Sequence, residues 1–261
     1  MLGTGWTETV NLVAAFAIAV ITTPAGVSGA VLLLPFQVRV LGTSSPSVTP
    51  TNLLYNVVAC PGALWRYRKQ GQTGGTLTRI LLVGTLPGVI AGSVIRVYVL
   101  PGPEVFELVI AAVLLPLGAF LALTRVNRGS TGRKPRLPPV VIGLIASVAG
   151  CIGGIYGVGG GSILAPVLIG DGRPSAEVAP ASLASTFVTS VAGVVTFSLL
   201  AVRHQSAAPD WVTGITLGIG GLAGGYVGAR IQHRLPESVI RRALGGIVVV
   251  VGALFLVDGF T

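Results

Sequence analysis

Long apolar stretches without a single charged side chain divide the sequence. No Asp, Glu, Lys or Arg occurs in residues 9–38, 40–65, 137–170 or 178–202. A helix that spans a membrane needs about 20 mostly apolar residues, and no soluble fold explains several such stretches in one short chain. The pattern predicts an all-α polytopic membrane protein.

Two of the apolar stretches, residues 9–38 and 138–170, are interrupted by Gly and Pro. Because glycine-rich segments continue a helix poorly, we expect each stretch to form a broken, re-entrant-like hairpin of two short helices. Three uninterrupted stretches follow each hairpin. They predict six membrane-spanning helices, near residues 48–65, 77–98, 105–124, 178–201, 211–229 and 238–257.

A repeated sequence accompanies this repeated order of elements. The segment GVSGAVLLLP at 26–35 matches GVGGGSILAP at 157–166 with the same Gly-to-Pro spacing. Residues 48–52 match 178–182 downstream. A third match pairs PGVIAG, which ends at Gly92, with GGLAGG, which ends at Gly225. The chain therefore predicts two copies of one unit.

A polar, basic and proline-containing linker sets the boundaries between the copies. We predict an N-terminal transmembrane repeat at residues 1–124, a basic cytoplasmic linker at 125–137 and a C-terminal transmembrane repeat at 138–261.

The net charge of +9 bears on orientation, because Lys and Arg concentrate in cytoplasmic loops. If each hairpin enters and leaves on one side, 14 of the 17 Lys and Arg residues are cytoplasmic, and only Arg39, Arg96 and Arg203 lie outside. If each interrupted stretch crosses once, the division is 10 against 7. We therefore expect two inverted repeats in the cell inner membrane, with both termini outside.

The glycine-rich segment 157–166, its copy at 26–35 and the polar element from Thr49 to Asn52 resemble the sulfite exporter TauE/SafE family. The resemblance covers essentially the whole chain. It implies a membrane transporter that exports sulfite, an organosulfonate or a related sulfur-containing anion. The first copy departs from the fuller pattern, with Ser28 and Ala30 where the second copy has Gly159 and Gly161.

Uncharged hydrogen-bond donors make up the candidate substrate site. At each bend, glycine lets backbone N–H groups face an anion, and the following helix presents its positive N-terminal end. We place the site at the membrane midplane between the two Gly-rich hairpins. The candidate substrate-binding residues are Gly26, Ser28, Gly29, Thr51, Asn52, Gly157, Gly159, Gly160, Gly161, Ser162, Ser182 and Ser185, with Thr186 beside them.

Glycines on two later helices are predicted to pack helix against helix, or to form a possible homodimer. One set is Gly84, Gly88 and Gly92, and the other is Gly214, Gly218, Gly221 and Gly225. Arg39 and Arg173 follow the two hairpins, and we consider them as attractors of anions at the entrances.

The sequence lacks the residues that other classes of function need. All 8 acidic residues fall near span ends or in loops, so we expect no carboxylate proton relay and propose efflux driven by the membrane potential. Cys60 and Cys151 lie in apolar stretches, and we expect no metal and no cofactor. The absence of H-E-x-x-H and of a nucleophile elbow argues against an enzyme, and the scattered basic residues argue against binding of nucleic acid.

A channel with opposed half-helices remains the alternative to a carrier of a small anion.

Overall fold

The computed structural model describes residues 4–42, 47–72, 75–100 and 137–236, with a few residues between 239 and 253. The linker and most of the third spanning helix of each half therefore lie outside the described residues. Short 3-10 helices occur at Thr23–Ala25, Gln205–Ala207 and Gln232–Arg234. The α-helices are α1 (Thr4–Thr22), α2 (Ala30–Arg39), α3 (Val48–Lys69), α4 (Gly75–Tyr98), α5 (Pro139–Tyr156), α6 (Gly160–Gly170), α7 (Ser175–Ala201) and α8 (Trp211–Ile231).

Apolar side chains cover the outside of these helices, and polar side chains are buried between them. Val83 and Val140 are 77% and 74% exposed, whereas Asn52, Thr85 and Ser185 are fully buried. This distribution suits a lipid environment, in which polar groups must find their partners inside the protein. It agrees with the prediction of a multi-pass membrane protein.

Five described segments are long and apolar enough to cross a membrane. The helix α3 is not among them, because Thr, Asn and a basic last turn lower its mean hydropathy. The second arms α2 and α6 have 10 and 11 residues and are short, as predicted. The first arms α1 and α5 have 19 and 18 residues, so the prediction of two short helices in each hairpin is wrong for the first arm. The five are Thr7–Ala25, Gly75–Tyr98, Pro139–Tyr156, Ser175–Ala201 and Gln205–Arg234.

Each interrupted stretch breaks at a glycine in the left-handed region. Gly26 has φ 75° after the 3-10 helix that extends α1, and Gly157 has φ 76° at the end of α5. Residues with a Cβ rarely adopt this conformation. The breaks lie inside the segments for which the sequence predicted them.

The chain turns back after each break. A Cβ added to Gly29 would lie 3.2 Å from the side chain of Ile18, and one added to Gly160 would lie 2.9 Å from the Cα of Gly150. In one straight helix these residue pairs would be about 15 Å apart or more. The two stretches are therefore bent segments rather than continuous helices.

The packing of one half recurs in the other with the partners exchanged. The helix α1 packs along α8 as α4 packs along α5, and α3 packs on α8 as α7 packs on α4. The bends repeat this exchange, since Gly26 lies against Ala179 of α7 and Gly157 lies against Thr49 of α3. Thr49 and Ala179 are themselves paired in the sequence repeat. The two halves thus share one arrangement of helices.

The central helices α3 and α7 are antiparallel. Leu53, early in α3, contacts Gly193, late in α7. Ala63, late in α3, shares an apolar cluster with Leu183, early in α7. The two central helices therefore run in opposite directions past each other.

Glycines at four-residue spacing hold two parallel helix pairs together. An added Cβ on Gly84, Gly88 or Gly92 of α4 would come too close to a backbone oxygen of α5. The same holds in α8 for contacts with α1, made by Gly220, Gly224 and Gly228. Only glycine permits backbones to approach so closely.

The repeat register in α4 and α8 differs from the sequence match of PGVIAG with GGLAGG. That match pairs Gly88 with Gly221, but the equivalent contact in α8 is made by Gly224. The helix α8 carries glycines on two faces, and Gly221 faces Tyr55 and Ala59 of α3 instead. Matching the two segments by amino-acid identity alone therefore misaligned α4 and α8 by three residues.

Both glycine faces that were considered for a homodimer are covered within the chain. The α4 face lies against α5, and Gly214, Gly218 and Gly221 lie against side chains of α3. The prediction that these glycines pack helices is confirmed, and the faces are not available to a second copy.

We predict that Gly88→Ala destabilises the protein by about 1–3 kcal/mol, because the new methyl group overlaps the carbonyl oxygen of Ser147 and overpacking has costs of that size. The matched control is Gly143→Ala in α5, where no atom lies within 4 Å of the new Cβ. Thermal unfolding in detergent measures both variants. Equal melting temperatures for the two would contradict the close approach of α4 and α5.

Candidate functional site

The two bends meet in a buried polar cluster. The backbone N–H of Ser28 donates to Oγ of Ser162 in the first turn of α6 at 3.1 Å, and that oxygen lies 3.2 Å from Oγ1 of Thr186 in α7. The hydroxyl of Ser28 donates to the side-chain oxygen of Asn56 in α3, whose nitrogen donates to the carbonyl of Gly157 at 3.4 Å. We call these five residues the bend junction. It joins both hairpins to both central helices.

The bend junction is neutral and shielded. Ser28 and Ser162 are 3% and 2% exposed, and Asn56 and Thr186 are fully buried. In such surroundings, hydrogen bonds to a charged ligand are stronger than they are in water. The carboxylates of the described ranges lie at helix ends or in loops, away from the junction.

Two helices begin at the bend junction. Gly29 precedes α2 and Gly159 precedes α6. The first turn of a helix has N–H groups without intrahelical acceptors, and the helix dipole places partial positive charge there. The N-terminal ends of α2 and α6 therefore both contribute positive electrostatic potential at the bend junction, which favours the binding of an anion there.

Two fully buried hydroxyls beside the junction have no hydrogen-bond partner in the described part of the chain. They are Oγ of Ser182 and Oγ of Ser190, both in α7. Ser190 Oγ lies 3.3 Å from the position that a Cβ on Gly159 would occupy, so it borders the second bend. A buried hydroxyl without a partner has a cost of about 1–3 kcal/mol, which a ligand oxygen would relieve.

Each predicted bend glycine lies against protein atoms. A Cβ on Gly160 would lie 2.8 Å from the side chain of Thr85, and one on Gly161 would overlap the carbonyl of Ser182. The remaining four, Gly26, Gly29, Gly157 and Gly159, also border α3 or α7. Close packing therefore accounts for these glycines in this conformation, and the hydroxyl and amide side chains supply the chemistry of the junction.

Thr51, another predicted site residue, lies away from the junction. Its hydroxyl donates to the carbonyl of Ser47 at 2.7 Å and accepts from the backbone N–H of Asp210 at 2.8 Å. Thr51 thus connects the first turn of α3 to the start of α8. Thr51 therefore makes a structural contact between the ends of two helices.

Asn52 and Ser185 join neighbouring helices around the junction. Asn52 donates to the carbonyl of Ala30 at 2.9 Å, which fixes the first turn of α2 on α3. Its side-chain oxygen accepts from Gln37 at 3.1 Å. Ser185 Oγ lies 2.9 Å from Oγ1 of Thr85 and so links α7 to α4. These residues support the elements that carry the junction.

Asn56 and Ser190 were not among the predicted site residues, although the sequence contained a signal for both. Asn56 lies four residues after Asn52, which places both on one face of a helix. Ser182, Thr186 and Ser190 have the same spacing in α7. Following the hydroxyl and amide stripe along each helix would have found both residues.

Arg96 was expected at the outer end of a helix, and the structure buries it completely in α4. Its Nε donates to the hydroxyl of Thr49 at 3.3 Å, and its guanidinium also donates to the carbonyl of Leu100. The Thr49 hydroxyl donates to the carbonyl of Ile155 at 3.1 Å, two residues before the second bend. A buried cation is thus connected to that bend through one hydroxyl.

Gln232 occupies the matching place after α8, in the register of the paired glycines. It is buried and its Nε2 donates to the carbonyl of Pro24 at 2.8 Å, two residues before the first bend. It also donates to the carbonyl of Ser175 at 3.1 Å. A side chain at the end of a neighbouring helix therefore stabilises each bend. The side chain is the charged Arg96 at the second bend and the neutral amide of Gln232 at the first.

The charge of Arg173 is balanced locally. Its guanidinium lies 3.6 Å from the carboxylate of Asp171 and 3.2 Å from that of Glu177. This pairing favours a structural role at the end of the second hairpin over attraction of anions. The side chain of Arg39, considered for the same role, lies outside the described part of the structure.

Comparison with known proteins finds a family model that covers most of the chain and a curated relative that covers part of it. A family model described as Sulfite exporter TauE/SafE matches residues 11–255. The Probable membrane transporter protein YunE of Bacillus subtilis (strain 168) is 28% identical over 117 residues. That match covers 44% of this chain and 40% of the relative. No solved structure matches the chain.

We predict that Ser162→Ala lowers the free energy of unfolding by about 1–3 kcal/mol, because it leaves the buried N–H of Ser28 without its acceptor and orphaned donors have costs of that order. Ser147→Ala is the matched control, since within the described part of the chain that hydroxyl bonds to the carbonyl of Gly143 in its own helix and to nothing else. Denaturation in detergent compares the two. A loss no larger for Ser162→Ala than for the control would contradict the junction.

Proposed function

The chain belongs to the sulfite exporter TauE/SafE family, and from this membership we propose that it exports a small sulfur-containing anion, sulfite or an organosulfonate, across the cell inner membrane. The anion binds at the bend junction, close to the membrane midplane. The observation that carries the proposal is the meeting of two hairpin bends at one buried, neutral set of hydroxyl and amide groups.

We propose inverted repeats as the basis of this site. The antiparallel course of α3 and α7 supports the inversion, as does the exchange of packing partners between the halves. With the basic linker in the cytoplasm, the first hairpin enters from outside and the second from inside, and both termini are outside. Two hairpins that enter from opposite faces meet near the middle of the bilayer.

The donors at the junction suit an anion that must also leave. Hydroxyls, an amide and helix N-termini replace the water around the oxygens of a sulfur oxyanion. They add no fixed positive charge of their own, so the complex avoids the tight pairing that a buried cation and anion form. The unpartnered hydroxyls of Ser182 and Ser190 supply two further contacts.

Transport requires the junction to open, because its residues are buried in this conformation. Inverted-repeat carriers open alternately to each side by moving one set of helices against the other. A buried junction favours this carrier mechanism over a permanently open channel, the alternative that opposed half-helices otherwise allow.

The membrane potential is the proposed driving force. A potential of 100 mV, negative inside, favours the exit of one negative charge by about 2.3 kcal/mol, which corresponds to roughly a fiftyfold gradient. No carboxylate of the described ranges lies at the bend junction to relay protons.

We predict that Ser190→Ala weakens sulfite transport about tenfold at low concentration and leaves the melting temperature unchanged or higher. The hydroxyl has no hydrogen-bond partner to lose among the described residues, whereas a hydrogen bond to a charged group contributes about 1.5–3 kcal/mol. Proteoliposome flux and thermal unfolding are measured together. Thr196→Ala is the control, since that hydroxyl bonds to the carbonyl of Ala192 in its own helix and to no other residue of the described ranges. Flux of Ser190→Ala equal to that of the control would place the site elsewhere.

We predict that sulfite flux in proteoliposomes saturates with concentration and rises when the compartment holding the sulfite is made negative. Ionophore-imposed potentials test the voltage dependence, and liposomes without protein provide the background. A sulfite flux that does not depend on the imposed voltage would rule out simple electrogenic export. Flux that never saturates would favour a channel.

A further inference from the structure

An open groove of about 520 Å³ runs along the membrane-facing side of α4 and α5. Its walls are mostly apolar side chains, among them Val83, Val140 and Leu144. These three side chains are strongly exposed, so in a membrane they contact lipid. The groove is thus shaped and lined for hydrocarbon.

Gly143 leaves the floor of the groove open. A Cβ added at this position would meet no atom within 4 Å. Its neighbours on the same pair of helices differ, since a Cβ on Gly84 would lie 2.6 Å from the side chain of Ala146 and one on Gly150 would overlap Thr85. Packing between the helices therefore explains Gly84 and Gly150 and does not explain Gly143.

One end of the groove is positively charged. Arg79 lines it, is exposed, and has no hydrogen bond or ion pair in the described part of the chain. Because α4 and α5 are parallel, their N-terminal ends at Gly75 and Pro139 lie on this same side and add partial positive charge. The proposed orientation places this end at the cytoplasmic leaflet, where anionic lipids concentrate.

The equivalent helix pair in the other half carries the opposite charge. The helices α1 and α8 are also parallel, but Asp210 caps α8 and exposed Glu8 lies near the start of α1. The attraction for a negative headgroup is therefore specific to the α4–α5 pair.

From the groove, the open position at Gly143 and the charge of Arg79, we propose a binding site for an anionic phospholipid. One acyl chain lies in the groove and passes over Gly143, and the headgroup phosphate pairs with the guanidinium of Arg79. The site is separate from the bend junction and does not depend on the identity of the transported anion.

The test compares phosphatidylglycerol and phosphatidylcholine with identical acyl chains, added to purified protein in detergent. Native mass spectrometry counts retained lipid, and thermal unfolding reports stabilisation. We expect the wild type to prefer phosphatidylglycerol and Arg79→Gln to bind it about fivefold more weakly, as one basic residue near a lipid surface contributes about 1 kcal/mol. Arg203→Gln, at another exposed arginine, should behave as wild type.

Gly143→Leu tests the hydrocarbon part of the site, because the larger side chain fills the groove. We expect it to retain less of both lipids, and Gly143→Ala to retain more than Gly143→Leu. Equal retention of the two lipids by the wild type, or equal binding by Arg79→Gln and Arg203→Gln, would overturn the proposal, whether or not Gly143→Leu folds. The proposal would also be overturned if the wild type were a dimer and Gly143→Leu dissociated it without changing the amount of bound lipid. A second copy of the chain would then fill the groove.

Discussion

The arrangement of the described helices depends on two glycines that end helices inside the bundle. At Gly26 and Gly157 the backbone adopts a left-handed conformation, and the chain then turns back to begin a helix that is much shorter than the one before it. A side chain at either position would meet both a conformational penalty and the backbone of the opposing central helix. The same two residues therefore set the direction of the hairpins and their fit against α3 and α7.

The bends bring neutral donors together, and the two halves differ in what supports them. Arg96 is connected to the second bend through Thr49, whereas Gln232 holds the first bend through a backbone carbonyl. A duplicated protein that kept both halves identical would present the same field to each side of the membrane. Among the described residues, Arg96 therefore makes the surroundings of the second bend more positive than those of the first.

The sequence predicted the helices and the breaks because both depend on local properties. Apolar length predicted α4, α7 and α8, and the clustered glycines predicted the two bends. The register of α8 against α1 and the position of Thr51 were not predictable in the same way, since contacts between helices decide them. Asn56 and Ser190 lie outside the glycine motifs, on helix faces that pack against them, so the motifs alone did not indicate these two residues.

The most direct test of the account is a disulfide between the bends. Ser28→Cys and Ser162→Cys, introduced together with Cys60→Ala and Cys151→Ala, place two thiols on residues that now touch through a 3.1 Å hydrogen bond from the backbone N–H of Ser28 to Oγ of Ser162. A disulfide forms between residues whose Cα atoms lie within about 7 Å of each other. We predict that mild oxidation cross-links this pair and stops the residual sulfite flux that the reduced double variant retains, and that a reductant restores this residual flux. Failure to cross-link, or full flux in the cross-linked protein, would contradict a transport site that opens between the bends.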